Sequence, residues 1–410
     1  MTSPSDVYVW VWLPGATNPV VAGRLRLYGK SYQFAYGESY LSRPEAISLF
    51  TPELPLRSGW IDPREGMTMA GCLWDSSPDS WGQRVIIARL TGISGTAADE
   101  VTLEQTTFLL HSGSNRIGGL DFQVSATDYV PRSTTATLDE LHAAADAVQS
   151  GEIHEELFEA LVNGTAVGGA RPKVLLRDSG VEYIAKFSVS SDPYPIVKAE
   201  AVGMELARRV GIDVPRSRVV KSLGRDVLLI ERFDRPSPGQ RRMMVSRLTL
   251  LGFGDFLGAR YSSYPEILNV LLRWAQSGRD LRRTLFERIV FNIAIGNTDD
   301  HARNHAAFWD GQHLELTPAY DLCPQLRTGG EANQAMDISQ SGARSSRFET
   351  CVKAAAEYGL TVSQARNIID HQVTTIRENW QEVTDMFELD AVDKNLLQRG
   401  PILNRYAFTD

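Results

Sequence analysis

The apolar residues of this chain change rhythm near Pro236. Upstream they come in short β-branched and aromatic runs at Asp6–Leu13, Gly23–Tyr28, Tyr32–Tyr36, Lys173–Arg177, Val181–Phe187, Val214–Val220 and Asp226–Glu231. Pro14-Gly15, Gly29-Lys30 and Asp178-Ser179-Gly180 punctuate these runs, which therefore read as strands joined by tight turns. Downstream the spacing is helical over Pro265–Gln276, Leu281–Ala294 and Val352–Tyr358, and Thr361-Val-Ser-Gln364 caps a further helix to about Trp380. Helices also interrupt the first half at Gln83–Leu90, from the capping box Thr137-Leu-Asp-Glu140 to about Gln149, and at Ile196–Val210, which Gly211 closes. This pattern predicts an α+β fold in two lobes, the first β-rich and the second mainly helical.

Composition excludes several classes. With 410 residues, 43% hydrophobic and 22% charged, the chain is long enough for two or three domains with a large buried core. Its formal charge of −8 argues against a generally basic nucleic-acid binder. Cys72, Cys323 and Cys351 are odd in number and far apart, so they build neither a disulfide framework nor a CxxC zinc site, as expected for a reducing cytoplasm. No secretory leader and no membrane-length apolar run is visible, and a cytoplasmic protein without a membrane partner is expected.

The densest chemistry lies in Ile295-Gly-Asn-Thr-Asp299-Asp300-His301-Ala-Arg-Asn304-His305, just after a predicted helix. An Asp followed five positions later by an Asn is the spacing of a kinase catalytic loop, and Asp299 to Asn304 has it. The Asp engages the attacking hydroxyl and the Asn oxygen binds magnesium. Seventeen residues beyond Asn304, Asp321 in Leu316-Thr-Pro-Ala-Tyr-Asp321 supplies the second carboxylate that such a site needs. Upstream, Gly164-Thr165-Ala166-Val-Gly168-Gly169-Ala-Arg-Pro-Lys173 is a glycine-rich loop whose backbone N–H groups and lysine suit a phosphate. Lys186 on the next strand and Glu200 on the helix after it have the order of a strand lysine held by a helix glutamate. Glu231-Arg-Phe233-Asp-Arg235 ends a strand where a hinge meets an adenine edge.

With these motifs in this order, and with Trp74–Gly82 near the N-terminus, the sequence resembles the HipA family of bacterial toxin kinases over nearly its whole length. The resemblance implies a two-lobed, protein-kinase-like α+β fold that uses ATP and Mg2+. It divides the chain into a HipA-type β-rich subdomain at 1–125, the rest of the N-lobe with glycine-rich loop and hinge at 126–236, and a helical kinase lobe at 237–410. Carried over residue by residue, Asp299 is the catalytic base, and Asn304 and Asp321 are the magnesium ligands. Lys173, Gly168 and Gly169 belong to the phosphate loop, Lys186 with Glu200 holds ATP phosphates, and Glu231 and Phe233 hold the adenine.

The family also implies a helix-turn-helix antitoxin of the HipB kind, with DNA reached only through the antitoxin complex. Its characterised members phosphorylate aminoacyl-tRNA synthetases, which arrests translation and yields dormant, drug-tolerant cells. One position departs from the pattern. Where the family has a loop serine that autophosphorylates, this chain has Ala166, which has no hydroxyl, after Thr165. Either Thr165 takes the role, or the control is absent, or the alanine is an engineered replacement.

Other readings compete. The chain fits a catalytically silent protein that docks a DNA-binding antitoxin as co-repressor. His301 and His305 stand at i and i+4, the spacing of zinc ligands on a helix, although Ala302 occupies the place where HExxH has glutamate. Glu231–Arg235 reads equally as a salt-bridged strand end. The polar, glycine-containing stretch after Asp321, up to Ser346, is expected to be a mobile activation or substrate loop.

Overall fold

Alternating apolar residues at the N-terminus build an antiparallel sheet from β1 (Asp6–Val11), β2 (Val20–Tyr28), β3 (Ser31–Tyr36) and β4 (Leu120–Gln123), in the order β3-β2-β1-β4. The computed structural model describes residues 6–93, 95–133, 136–150, 161, 172–189, 192–253, 262–276, 280–327 and 330–409. The chain divides into two compact units, residues 1–187 with 220–245 and 308–312, and residues 188–219 with 246–307 and 313–410.

A second sheet in the first unit carries the residues of interest. It comprises β5 (Lys173–Asp178), β6 (Val181–Phe187), β7 (Ser217–Ser222) and β8 (Arg225–Glu231), in the order β5-β6-β8-β7. Ser179 and Gly180 both take the left-handed backbone, at φ 50° and 84°, which is the two-residue turn that matches the twist of a hairpin. Val174, Ala185, Phe187, Val227 and Leu229 share one face and bury themselves with Val85, Ile86, Leu141 and Ala145 of helices Ser80–Thr91 and Leu138–Ser150. Strand alternation leaves Lys173, Leu175, Ile184, Lys186, Leu228 and Ile230 on the opposite face. The predicted capping box holds, with Thr137 N donating to Glu140 Oε2 at 2.8 Å.

The second unit is built around helix Leu281–Ile295. From Arg288 to Ile295 every residue is buried, so beyond its exposed first turn it is a central helix rather than an amphipathic one. Helices Ile196–Arg209 and Val362–Met386 belong to the same unit and are tied by Arg209 to Glu382 at 2.7 Å. Gly203 lets the first of them approach the chain after Asp321, since a Cβ there would lie 2.1 Å from the carbonyl oxygen of Leu322. Gly203→Ala is expected to destabilise the protein by about 1–3 kcal/mol, because the obstacle is backbone and must shift. Thermal melting checks this, and an unchanged midpoint contradicts it.

The second half is mainly helical, and it also holds the short strands β9 (Met243–Ser246), β10 (Ala306–Trp309) and β11 (Leu314–Leu316). These runs are three or four residues long, too short to show a period. The stretch up to Ser346 is not a free loop over 331–346. Gln334 N donates to Arg344 O and Ile338 N to Ala343 O, each at 2.7 Å, in an antiparallel hairpin. Met336 and Ile338, two residues apart on one side, are wholly buried and anchor it among otherwise polar neighbours.

Candidate active site

Gly296 stops the central helix at φ 67°, where a Cβ would meet Pro401 at 2.6 Å, and the chain leaves as the loop Asn297–His305. Asn297 fixes the exit, its backbone N–H donating to Asn292 O at 2.8 Å and its Nδ2 to Asn292 Oδ1 at 2.9 Å. The carbonyl of Asp299 then accepts from His301 N at 2.8 Å and from Asn304 Nδ2 at 3.3 Å. With its amide nitrogen used there, Asn304 has Oδ1 to offer a cation.

Asp321 comes from the other side of the same unit. Its backbone is left-handed at φ 60°, a conformation that costs a residue with a Cβ about 1 kcal/mol and that collects at functional positions. The surrounding chain holds it there. Ala319 N donates to Asp213 O at 2.8 Å, Gln325 N to Gly296 O at 3.1 Å, and Tyr194 OH to Pro324 O at 2.7 Å. Asn297 Nδ2 reaches the Asp321 carbonyl at 3.4 Å.

Asp299 therefore stands among charged neighbours of both signs. Partial burial pushes its carboxyl above the ordinary range, the charges of Asp321 and Asp300 add to the rise, and His301 opposes it. The Asn304 amide oxygen and the carboxylates of Asp299 and Asp321 are donors of the all-oxygen kind that magnesium takes. On this chemistry the residues fit a divalent cation. His301 and His305 do not share a helix face, because only Ala302–Asn304 coil, as a single 3-10 turn. The Nε2 of His305 is engaged by Asp300 at 2.9 Å.

Asp300 itself is the residue the motif comparison passed over. It is 2% exposed, and its Oδ2 accepts from Tyr264 OH, from Asn292 Nδ2 at 2.8 Å and from His305 Nε2. Burial alone raises its pKa, but His305 and these donors outweigh burial and hold the carboxyl below its usual range. Adjacency to Asp299 was the only signal for it, and Tyr264 and Asn292 gave none.

In the first unit, Lys173 and Lys186 are directly opposite one another across the β5–β6 pair, on the face away from the core, and Lys173 is buried. Glu200 is buried on helix Ile196–Arg209 of the second unit, one turn before Gly203. Glu231 ends β8 opposite Tyr183, so alternation sends its side chain to the face away from the lysines. Phe233 meets Phe308 edge-on at 5.8 Å. Gly168, Gly169, Thr165 and Ala166 lie outside the described residues.

Arg232, Asp234 and Arg235 of the Glu-Arg-Phe-Asp-Arg motif form a buried knot rather than a surface strand end. Asp234 Oδ2 accepts from Arg232 at 2.7 Å, Arg235 at 2.9 Å and the backbone N–H of Gly118 at 2.8 Å. Arg232 continues to Asn115 Oδ1 at 2.9 Å and to the carbonyl of Arg116 at 2.6 Å. Cys72, Cys323 and Cys351 are all buried free thiols. Among the described residues no helix is long and apolar enough to cross a membrane.

Residues 165–380 match the family model described as the HipA-like C-terminal domain, which is more than half of the chain. A Haemophilus influenzae protein named as a candidate kinase is 26% identical over 180 residues, covering 39% of this chain and 52% of that protein. The serine/threonine-protein kinase toxin HipA of Shewanella oneidensis is 27% identical over 183 residues, covering 38% of this chain and 42% of that one. The aligned stretches thus span about half the length of these two relatives. Among solved structures, a chain from the Shewanella oneidensis MR-1 complex of HipA, HipB and operator DNA superposes with a TM-score of 0.68 at 18% identity. That superposition covers 95% of this chain and 94% of the other, and it identifies a two-lobed α+β kinase-like fold.

Proposed function

This chain belongs to the HipA family, and from that premise we propose that it is an ATP- and magnesium-dependent protein serine/threonine kinase, the toxin of a toxin–antitoxin pair. The observation that carries the reading is the loop Asn297–His305, in which the Asp299 carbonyl orients Asn304 and Asn297 reaches the Asp321 carbonyl. Asn304 Oδ1 and the Asp321 carboxylate would hold magnesium, with Lys173 and Lys186 on the phosphates and the backbone of Glu231 with Phe233 at the adenine. On the family's pattern Gly168 and Gly169 would belong to the phosphate loop, and Glu200 to the nucleotide-binding residues. When bound, the metal neutralises charge on the phosphate oxygens and aligns the γ-phosphate for in-line attack.

The chain's own groups do the rest. Asp299 accepts a hydrogen bond from the target serine or threonine hydroxyl, aims its oxygen, and takes the proton as the new O–P bond forms and the bond from the γ-phosphorus to the departing ADP breaks. Burial raises its pKa, which makes it a better proton acceptor than an ordinary aspartate. We assign an aminoacyl-tRNA synthetase as the target class on family grounds. We also assign a helix-turn-helix antitoxin as partner, which the HipA–HipB–DNA relative supports. The net charge of −8 agrees with DNA being reached only through that partner.

Calorimetric titration with ATP in magnesium tests the nucleotide site. Each of Lys173→Ala and Lys186→Ala is expected to weaken binding by about 10- to 100-fold, the worth of one charge-assisted contact to phosphate. Unchanged affinity in both variants contradicts the assignment. Purified synthetases offered to the kinase then identify the target by their phosphate content.

A further inference from the structure

Asp300 takes no part in the chemistry above, yet it is the most enclosed carboxylate of the loop. Its three donors come from separate places: Tyr264 at the start of helix Tyr264–Trp274, Asn292 in the last turn of the central helix, and His305 at the loop's far end. Asp299 is the peptide neighbour of Asp300, and Asn304 is the peptide neighbour of His305. The Asp300–His305 bond therefore ties the proposed base and the proposed metal ligand together across the loop, and the two helices fix where that tie sits. The backbone N–H of Arg247 holds the His305 carbonyl at 3.0 Å, and the Tyr264 ring packs edge-on against the imidazole at 5.6 Å.

We infer that Asp300, acting through His305 and anchored by Tyr264 and Asn292, is a positioning residue that sets the distance between Asp299 and Asn304. Its effect on rate rests on the kinase reading, but the tie itself does not. Stability alone explains the arrangement poorly, because a buried hydrogen-bonded pair gains little over well-packed apolar residues of the same shape. A tie that fixes a loop in one register is a better use of it. The imidazole's roles follow from its surroundings. Among the described residues His305 Nδ1 is buried without a partner, and Nε2 donates to the Asp300 carboxylate, which can only accept.

That tautomer supplies the test. Glutamine places an N–H near the position of Nε2, whereas phenylalanine fills the space without a donor. Hydrogen exchange of the His301 and Asn304 amides, with helix Leu281–Ile295 as internal reference, is measured beside phosphotransfer in wild type, His305→Gln, His305→Phe and Tyr264→Phe. His305→Phe is expected to speed exchange of those two amides by about 10-fold or more relative to the helix. It also lowers kcat by about 10- to 100-fold with little change in KM for the protein substrate. His305→Gln stays within about 3-fold of wild type in both, and Tyr264→Phe falls between. Should His305→Phe not fold, Tyr264→Phe against wild type carries the same comparison.

Equal loop exchange in the phenylalanine and glutamine variants overturns the inference, as does exchange that rises only in step with the reference helix. Loosening in His305→Phe with no phosphotransfer in wild type upholds the tie and removes the kinase reading. An active wild type whose His305→Phe variant keeps both its rate and its loop protection does the reverse.

Discussion

Asp299→Asn lowers phosphotransfer by about 10³ while leaving the melting temperature of the metal-free protein unchanged or raised. The rate falls because an amide cannot take the proton from the attacking hydroxyl, although it fills the same volume. Stability moves the other way because the wild-type carboxyl is uncomfortable. Burial, Asp321 and Asp300 raise its pKa, so the folded state binds this proton more tightly than the unfolded chain does. A carboxyl shifted in that direction reduces stability once the pH rises above its unfolded value of about 3.9. The substitution removes that cost, and a divalent cation beside the wild-type carboxylate also removes it. Magnesium is therefore expected to raise the wild-type melting point more at neutral than at acidic pH. The acid limb of the pH–rate profile lies above that of an unperturbed aspartate. A variant that loses both fold and rate points instead to a structural Asp299.

Asp234→Asn destabilises the first unit by about 3–5 kcal/mol, a large share of the 5–15 kcal/mol that holds a typical domain together. Asp234 is buried between the guanidinium groups of Arg232 and Arg235 and accepts the Gly118 N–H. Burial pushes its pKa up, but the two arginines and that N–H outweigh burial and hold the carboxyl well below the usual range. An amide leaves two buried cations without their counter-charge. The sign with pH is opposite to that of Asp299. A depressed carboxyl contributes stability that is complete above the unfolded value near 3.9 and is lost progressively as the pH falls below it. Urea midpoints of wild type and variant should stay apart by a constant amount from neutrality down to about pH 4 and converge below. A gap under 1 kcal/mol at neutral pH contradicts the knot's role.

The contrast between these two aspartates shows what was legible in the sequence. Strands, turns and capping boxes were readable because their causes are local. Asp178-Ser179-Gly180 dictates its own turn, and Thr137 and Glu140 satisfy each other's N–H groups. The Asp299–Asn304 spacing was equally open, since both residues sit on one short loop. The environment of each carboxylate was not. Asp234 sits in an arginine-rich motif that reads as a surface ion pair, and its burial depends on Gly118, more than a hundred residues away. Asp300 looks like a spare neighbour of Asp299 until Tyr264 and Asn292 are brought to it by the packing of two helices. The hairpin over 331–346 was hidden for the same reason, because its polar composition outweighs two buried anchors, Met336 and Ile338. Residues whose role is set by distant partners carry no local signature.

The central claim is a phosphoryl transfer that depends on one carboxylate. Labelled γ-phosphate from ATP and magnesium, followed into the proteins of a bacterial lysate with Asp299→Asn as control, tests it most directly. The kinase account predicts a heavily labelled host protein, an aminoacyl-tRNA synthetase, that is absent with the variant. Label on no protein, or label that persists in a folded Asp299→Asn protein, contradicts it.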